Sequence, residues 1–194
     1  MSAALFRHDT WITRELQAGD VPAVQALFDA NLAYFSLVNG RPALPDEARQ
    51  EFDDLPPAGL SFSRKWTLGL TDEQGALAGM AVVISDFVLE GTSHIGLFMV
   101  ASERHGDGTA QRWYGALQQW LARTGTRWVR LAAIVGNDRA QRFWERQGFQ
   151  EVRRREGLVH GERTHAALVM LKPLGSNTLA AYLEQVPRDR PGAD

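Results

Sequence analysis

The sequence predicts an α/β (α+β) fold, in which a mixed but mostly antiparallel central sheet of about seven strands is flanked by helices. Two turns, Asp72-Glu73-Gln74-Gly75 and His160-Gly161-Glu162, each separate two strand-like stretches, which is the pattern of a β-hairpin. A third stretch, residues 95–121, is an apolar strand followed by a glycine loop and an amphipathic helix. The predicted strands are residues 11–16, 65–71, 76–88, 95–100, 128–135, 151–159 and 163–171.

Length and composition fit one compact domain of the size of a small enzyme. The chain has 194 residues, of which 44% are hydrophobic, and we predict a single domain at 1–174 followed by a tail at 175–194. We expect the tail to carry a short helix at 178–185 and then a polar, disordered end.

Charge, cysteine content and hydropathy exclude several classes of function. Lys and Arg number 21 against 23 Asp and Glu, with no long basic run, so no nucleic-acid partner is expected. The absence of cysteine excludes a disulfide framework and a thiolate nucleophile. The start of the chain lacks the apolar core of a signal peptide, and no apolar run approaches membrane-spanning length. We therefore expect a cytoplasmic protein with no membrane partner.

The first half of the chain predicts two helices between the first two strands. Asp20 is a good N-cap for a helix with Val21, Val24, Leu27 and Phe28 on its inner face. Pro45-Asp46-Glu47 can open a second helix that continues through Phe52. The stretch between them is less regular.

The glycine loop Gly106-Asp107-Gly108 is the strongest candidate for a ligand site. It leads directly into a helix whose apolar residues recur at a spacing of three and four. Glycines allow a sharp turn and close approach to the main chain, and the first N–H groups of the helix attract an anion such as phosphate or pyrophosphate. The alternative is an ordinary strand-to-helix connection without a ligand.

Two other glycine-loop classes fit poorly. A P-loop NTPase needs Gly-Lys-Ser/Thr, whereas Gly108 is followed by Thr109 and Ala110. A Rossmann fingerprint needs a third small residue, and Gln111 stands in that place.

A second motif follows the next strand and shows a resemblance to a known family. Asn137, Ala140, Phe143, Gly148 and Phe149 match the spacing of the later motif of the GNAT superfamily of acyl-CoA-dependent N-acyltransferases, and residues 105–110 occupy the place of its glycine loop without a gap. The chain resembles this superfamily over roughly residues 11–174, which implies a GNAT-like fold, acetyl-CoA as co-substrate and a possible homodimer.

The resemblance also implies positions for the cofactor. The main chain of Phe98, Met99 and Val100 would pair with the pantetheine arm and supply an N–H to the thioester oxygen. Main-chain groups of the loop would bind the pyrophosphate, and Asn137 would contact pantetheine or fix the turn after its strand. The full set of implied cofactor-binding residues is Phe98, Met99, Val100, His105, Gly106, Asp107, Gly108, Thr109, Ala110, Asn137 and Phe143.

Three residues depart from the family pattern. His105 replaces the leading Arg or Gln of the loop, which gives a weaker and pH-dependent charge that Arg104 can offset. Asp107 places a carboxylate where a dianion should bind. Trp144 replaces the Tyr that commonly protonates the leaving thiolate, and an indole N–H does not give up its proton near neutral pH.

The general base is not evident from the sequence. Related proteins often carry a carboxylate just after Gly96, where this chain has Leu97. His94 and Glu90 are the candidates we take for catalysis, together with Trp144 as a hydrogen-bond donor to sulfur, while Asp86 is a weaker candidate for the base. The histidines show no metal-ligand spacing, so no metal is expected.

Two functions remain open at this point. The first is transfer of an acetyl group from acetyl-CoA to a primary amine of a small molecule, or of a peptide, by direct attack. The second is an acyl-CoA-binding sensor or regulatory module with weakened catalysis, which Trp144, Asp107 and Leu97 favour.

Overall fold

One eight-stranded sheet forms the centre of the molecule. The computed structural model describes residues 2–193, and its strands lie in the order β1-β2-β3-β4-β5-β6-β8-β7. Every neighbouring pair is antiparallel except β5 and β6, which are parallel. The strands are β1 Ala4–His8, β2 Trp11–Glu15, β3 Arg64–Thr71, β4 Leu77–Ser85, β5 Thr92–Val100, β6 Trp128–Ile134, β7 Gln150–His160 and β8 Arg163–Pro173.

The predicted fold class is therefore confirmed, with one strand more than expected. The added strand, β1, is only five residues long and pairs with β2 at the edge of the sheet. The helices are α1 Val21–Ala30, α2 Leu32–Val38, α3 Glu47–Asp53, α4 Thr109–Arg123, α5 Asp138–Arg146 and α6 Leu179–Gln185.

The helices cover the two faces of the sheet differently. Helices α4 and α5 bury their apolar sides on one face, where Trp113, Leu117 and Trp144 join the largest cluster of buried residues. Helices α1, α2 and α3 cover the other face over β4 and β5. Helix α6 covers that same second face farther along, where Tyr182 packs with Trp128 of β6.

The two parallel strands separate halfway along their length. Their ladder runs from Thr92 opposite Trp128 to Ile95 opposite Leu131 and then ends. Beyond that point β5 stays paired with β4, and β6 stays paired with β8. A bulge in β5 at Gly96 marks the start of the divergence. We call the opening between the separated halves of β5 and β6 the cleft.

The C-terminal tail differs in part from the expectation. Helix α6 lies at the predicted helix, but Pro187–Asp189 form a 3-10 turn, and Asp189 is completely buried. The Asp189 carboxylate binds a buried arginine, Arg130, and so holds this turn against the sheet; the disorder predicted for the end of the tail stays a prediction. The division of the chain at residue 174 stays a prediction.

Among residues 2–193, none of the helices alone has the length and apolar composition needed to cross a membrane. Only a pair bent by 78°, Ala18–Ala30 with Leu32–Val38, reaches that length and composition together.

Candidate active site

The main chain of β5 faces the cleft at alternate residues. The N–H of Ala101 donates to the carbonyl oxygen of Ala78 on β4 at 2.8 Å. Because antiparallel partners alternate between bonded and non-bonded pairs, Met99 also points its main-chain groups at β4. The main-chain groups of Phe98 and Val100 therefore point into the cleft, whereas Met99, one of the implied cofactor-binding residues, does not present its main chain there.

The glycine loop closes the upper end of the cleft and opens α4. Gly106 and Gly108 have φ angles of 90° and 86°, which residues with a Cβ atom rarely adopt. Asp107 does not point away from the helix, since its Oδ1 accepts a hydrogen bond from the Thr109 N–H at 2.8 Å. This bond lowers the pKa of Asp107, helped by Arg104 and Arg112. The carboxylate thus occupies one of the N–H groups that would otherwise meet an anion.

His105 bridges the two sides of the cleft in an uncharged state. Its Nε2 donates to the carbonyl oxygen of Val100 at 3.2 Å, and its Nδ1 accepts from the Arg139 guanidinium at 2.8 Å. Burial lowers the pKa of His105, and Arg139 lowers it further. The lowered pKa leaves His105 less charged than a free imidazole, and Arg139 at the start of α5 adds a cation beside it; the role of His105 in binding stays a prediction.

Asn137 fixes the turn at the end of β6. Its Oδ1 accepts a hydrogen bond from the Ala140 N–H at 3.2 Å, so it caps the N-terminus of α5. Of the two roles considered for Asn137, the structure shows this one.

The ring of Trp144 lies in an aromatic cluster. Its exposed fraction is 7%, and its ring lies 5.4 Å from Phe98 and 4.8 Å from Phe143, between centroids. Within residues 2–193 no hydrogen-bond partner of its indole N–H is found. Phe143 is partly exposed, and its ring stacks 6.0 Å from that of Phe98. These two rings line the cleft, and Trp144 supports them from behind.

On the opposite face, small residues leave part of the sheet uncovered as a shallow hollow. Gly96 of β5 and Ala132 of β6 are exposed although they lie in the middle of the sheet. Ala132 points to this face, because its β8 partner Val169 packs with α6 residues there. We call this space the acceptor hollow, since it meets the cleft from the side opposite α4.

A contact between α2 and the last hairpin lies at one end of the acceptor hollow. Helix α2 packs over β4 and β5 through Phe35. At its end, the carbonyl oxygen of Val38 lies 2.7 Å from His165 Nε2 of β8, and the carbonyl oxygen of Asn39 accepts the Glu162 N–H at 2.9 Å. This contact lies beyond the last pair of β6 with β8, Ile134 with Ala167.

Sequence and structure comparisons place this arrangement among known proteins. The sequence model described as "Acetyltransferase (GNAT) family" matches residues 24–149. The chain belongs to the GNAT acetyltransferase family.

Solved GNAT structures share this fold. The ribosomal-protein-S18-alanine N-acetyltransferase of Escherichia coli is 18% identical over 87% of this chain and 97% of its own, with a TM-score of 0.64. An acetyltransferase of Thermus thermophilus is 20% identical over 89% and 100%, with a TM-score of 0.66. The spermidine N-acetyltransferase of Vibrio cholerae in complex with CoA and spermine is 19% identical over 86% and 96%, with a TM-score of 0.64. No curated protein matches the sequence.

In this GNAT chain, His94 is not available as a base. Its Nδ1 accepts a hydrogen bond from the Arg130 guanidinium at 3.2 Å, and its ring stacks 4.7 Å from that of Phe87. An arginine cannot act as acceptor, so Nδ1 has no free lone pair and the proton of the neutral ring is on Nε2. Burial lowers the pKa of His94 to about 3, with Arg130 adding to the effect.

Glu90 and Asp86 lie away from the cleft. Glu90 is exposed in the turn before β5, at the opposite end of that strand from the glycine loop. Its carbonyl oxygen accepts a hydrogen bond from Arg127. Asp86 holds the same turn through the Gly91 N–H, 2.7 Å away. The geometry therefore does not support either carboxylate as the base.

Glu51 on α3 has a carboxylate whose pKa is raised toward neutrality, as a general base requires. Burial raises the pKa of Glu51 to about 7, against the opposing effect of Lys65. The Lys65 Nζ lies 4.0 Å from Glu51 Oε1 and also donates to main-chain carbonyls at the end of α3. Burial and Glu51 together raise the pKa of Tyr34 to about 12.

Glu51 lies on the face of the acceptor hollow. Lys65 pairs with Ile84, and Ile84 pairs with His94 across three adjacent strands, so these side chains share one face. Nothing in the sequence identified Glu51, because α3 is short and rich in charged residues, and its pKa depends on packing against β3. Among residues 2–193, no group of three or more His, Asp or Glu side chains is arranged to hold a metal ion.

Proposed function

We propose that this GNAT acetyltransferase transfers an acetyl group from acetyl-CoA to a primary amine of a small molecule, or of a peptide, by direct attack. The observation that carries the proposal is the cleft, in which β5 turns the main-chain groups of Phe98 and Val100 away from β4 just before the glycine loop. An extended pantetheine arm can bind these groups as an added strand does.

The residues at the upper end of the cleft can bind a pyrophosphate, although the negative charge of Asp107 opposes it. The N–H groups of Ala110 and Gln111 lie in the first turn of α4 and have no intrahelical acceptor. Arg139, which donates a hydrogen bond to His105 of the same loop, adds a positive charge near these N–H groups. Asp107 opposes this charge and occupies the Thr109 N–H, which predicts binding weaker than the loop could otherwise provide.

Acetyl-CoA supplies an acyl group already activated as a thioester. In our proposal a main-chain N–H of Phe98 or Val100 donates to the thioester oxygen and stabilises the negative charge that develops there. The amine enters from the acceptor hollow, its nitrogen bonds to the acyl carbon and the C–S bond breaks.

Proton transfer in this proposal involves Glu51 and water. Lys65, whose Nζ lies 4.0 Å from Glu51 Oε1, is two strand spacings, roughly 10 Å, from the strand of His94. Glu51 therefore takes the ammonium proton through water. A carboxylate with a pKa of about 7 is half ionised at neutral pH and suits this role. Trp144 cannot donate a proton to the leaving thiolate, which takes one from solvent; a thiol pKa of about 8.5 makes this exit chemically reasonable.

The second candidate is an acyl-CoA-binding sensor with weakened catalysis. Two observations favour it: the buried indole of Trp144 in place of a tyrosine hydroxyl, and the Asp107 carboxylate bound to the first N–H of α4.

A paired experiment separates the two functions. Calorimetry with acetyl-CoA measures binding, and release of free thiol in the presence of a panel of primary amines measures transfer. We expect both signals. Binding without thiol release on any amine would favour the sensor, and the absence of binding would contradict both functions.

A further inference from the structure

Arginine side chains form one border of the acceptor hollow. Arg153 pairs with Val169, which pairs with Ala132 at the floor of the hollow. Arg155 pairs with Ala167, which pairs with Ile134 at the next position on the same face. Because directly paired residues point to the same face of a sheet, both arginines project on the side of the hollow, with their Cα atoms about two strand spacings, roughly 10 Å, from β6.

The acidic group in this region is already fully engaged. Asp189 binds Arg130 through two hydrogen bonds of 2.7 and 2.9 Å and also accepts the Tyr182 hydroxyl at 2.7 Å. One carboxylate with three such donors has little capacity left for another cation.

Among the described residues, Arg153 and Arg155 therefore have no carboxylate within salt-bridge distance, and Asp189, which is already bound to Arg130, is the carboxylate that acts on Arg155 from farther away. Arg153 donates to the carbonyl oxygen of Arg188, and its Nε is buried without a partner. Arg155 is half-buried, and no carboxylate within residues 2–193 lies within salt-bridge distance of it. Burial lowers the pKa of Arg155, and the charges of Arg153, Arg130 and Arg188 lower it further, against the opposing effect of Asp189.

Arg154, between these two arginines but on the other face of the sheet, has an acidic partner. Arg154 points away from the hollow, is exposed, and binds Glu156 at 2.6 Å. Two arginines on the inner side without carboxylate partners, next to one on the outer side with a partner, indicate that the missing anion comes from a ligand.

We propose that the acceptor hollow binds an amine that also carries an anionic group, a carboxylate or a phosphate, and that Arg155 and Arg153 bind this group while the amine faces the cleft. The inference deepens the proposed function and rests on it for the direction of the amine. An acceptor with several positive charges would be repelled by these guanidinium groups, so polyamines are poor ligands of this site.

Matched acceptors test the charge requirement. Glycine is compared with glycinamide, and O-phosphoethanolamine with ethanolamine, with putrescine as the cationic member. For each compound, calorimetry on the CoA-loaded protein measures binding, and thiol release with acetyl-CoA measures kcat and KM. We expect at least one anionic compound to bind at least tenfold more tightly than its neutral counterpart.

Substitution of Arg155 tests the residue. R155Q should raise Kd and KM for the anionic acceptor about tenfold, the effect of losing one charge-assisted hydrogen bond, with KM for acetyl-CoA unchanged. R155K should recover part of the loss. R154Q is the matched control on the opposite face and should change neither value. Circular dichroism and the Tm check that each variant is folded.

The outcomes distinguish this inference from the proposed function. Anionic binding that depends on Arg155, without thiol release, would support the anion site and contradict the acetyltransferase proposal. Turnover of ethanolamine or putrescine at least as efficient as that of the anionic compounds would support acetyl transfer and overturn the anion site. Failure of every anionic compound to bind, or an equal effect of R154Q and R155Q, would also overturn it.

Discussion

Asp107 is a single side chain that works against the site it occupies. Its carboxylate binds the first N–H of α4 at 2.8 Å and carries a negative charge, since its pKa is lowered. In water, two like unit charges about 5 Å apart weaken an affinity by only about fourfold. The residue is therefore expected to moderate CoA binding without abolishing it.

We predict that D107N tightens CoA binding about fourfold, because the amide oxygen keeps the turn while the charge is removed. Calorimetry at low salt measures the effect, which should shrink as salt screens it. D72N is the matched control: Asp72 caps a main-chain N–H at 2.8 Å in the same way, in the turn between β3 and β4. Unchanged or weaker binding in D107N would show that the charge is not the obstacle.

Glu51 should control the pH dependence of activity. With a pKa of about 7, it is ionised and able to accept a proton only toward the alkaline side of neutrality. We predict that kcat/KM rises with pH through about 7, and that E51Q removes this step and lowers kcat about 100-fold, the typical contribution of a general base. D53N, at the exposed end of α3, is the control. A step that persists in E51Q would assign the base to another group.

Glu51 should also make the free energy of unfolding depend on pH. Its pKa is raised from 4.5 to about 7 on folding, so between these values the folded protein binds more protons than the unfolded chain. The free energy of unfolding contributed by Glu51 therefore decreases as pH rises across that window. We predict that wild type loses stability relative to E51Q between pH 4.5 and 7, measured by urea unfolding at several pH values. Parallel curves for the two proteins would contradict the raised pKa.

At the scale of elements, the cleft depends on how two helices begin. Helix α4 starts after Gly108, where a positive φ is required, and α5 starts at the cap Asn137. Both starts lie at the carboxyl ends of the two parallel strands, so the ends of β5 and β6 determine where the first turns of the helices point.

We predict that N137A lowers the free energy of unfolding by about 1 kcal/mol, the typical value of a cap, and also weakens CoA binding, because α5 carries Arg139 and Phe143. Thermal or urea unfolding and calorimetry measure the two effects. T178A is the matched control: Thr178 caps α6 through the Ala181 N–H at 3.1 Å, far from the glycine loop. It should lose similar stability and keep its CoA affinity. Equal loss of affinity in both variants would indicate general destabilisation.

The elements that sequence reasoning predicted well are those with strong local patterns. The helix after the glycine loop buries Trp113, Tyr114 and Leu117 as its spacing predicts, and the two hairpins form at the turns expected. Strand β1 was missed because it is short and lies at the edge. Helix α2 was missed because residues 30–57 have no regular apolar period.

The candidate site was only partly predictable, for a physical reason. Loop and cap positions follow from local chemistry, so the glycine loop and the region of Asn137 could be located. The states of His94, His105 and Glu51 depend on partners more than 10 residues away in sequence or on burial, which no local pattern shows. One signal was available: Arg130 is a charged residue in an otherwise apolar strand, which usually requires a buried partner.

At the scale of the whole molecule, the pair of Arg130 with its buried partner Asp189 holds the C-terminal segment against the sheet. Arg130 and Asp189 have side chains that are 5% and 0% exposed, and they are 59 residues apart in sequence. The pair joins the last turn of the chain to β6, beside the acceptor hollow. A tail that looks polar and disordered in sequence is therefore held by Asp189, the one buried acidic residue among residues 175–193.

We predict that D189N lowers the free energy of unfolding by about 3 kcal/mol, because it leaves the charge of Arg130 buried without a counter-ion. Urea unfolding measures the loss. E15Q, which breaks the exposed pair of Glu15 with Arg64, is the control and should cost less than about 1 kcal/mol. A loss in D189N no larger than in E15Q would mean that solvent reaches Arg130.

The contact of Val38 and Asn39 with the last hairpin has a consequence for the proposed function. The His165 side chain and the Glu162 N–H hold the end of α2 against the hairpin through the carbonyl oxygens of Val38 and Asn39. In the proposed function, an acceptor that enters on this face has to pass this contact with its amino group leading. We therefore expect slender amines and free chain termini to be acetylated more readily than a lysine side chain on a folded protein surface.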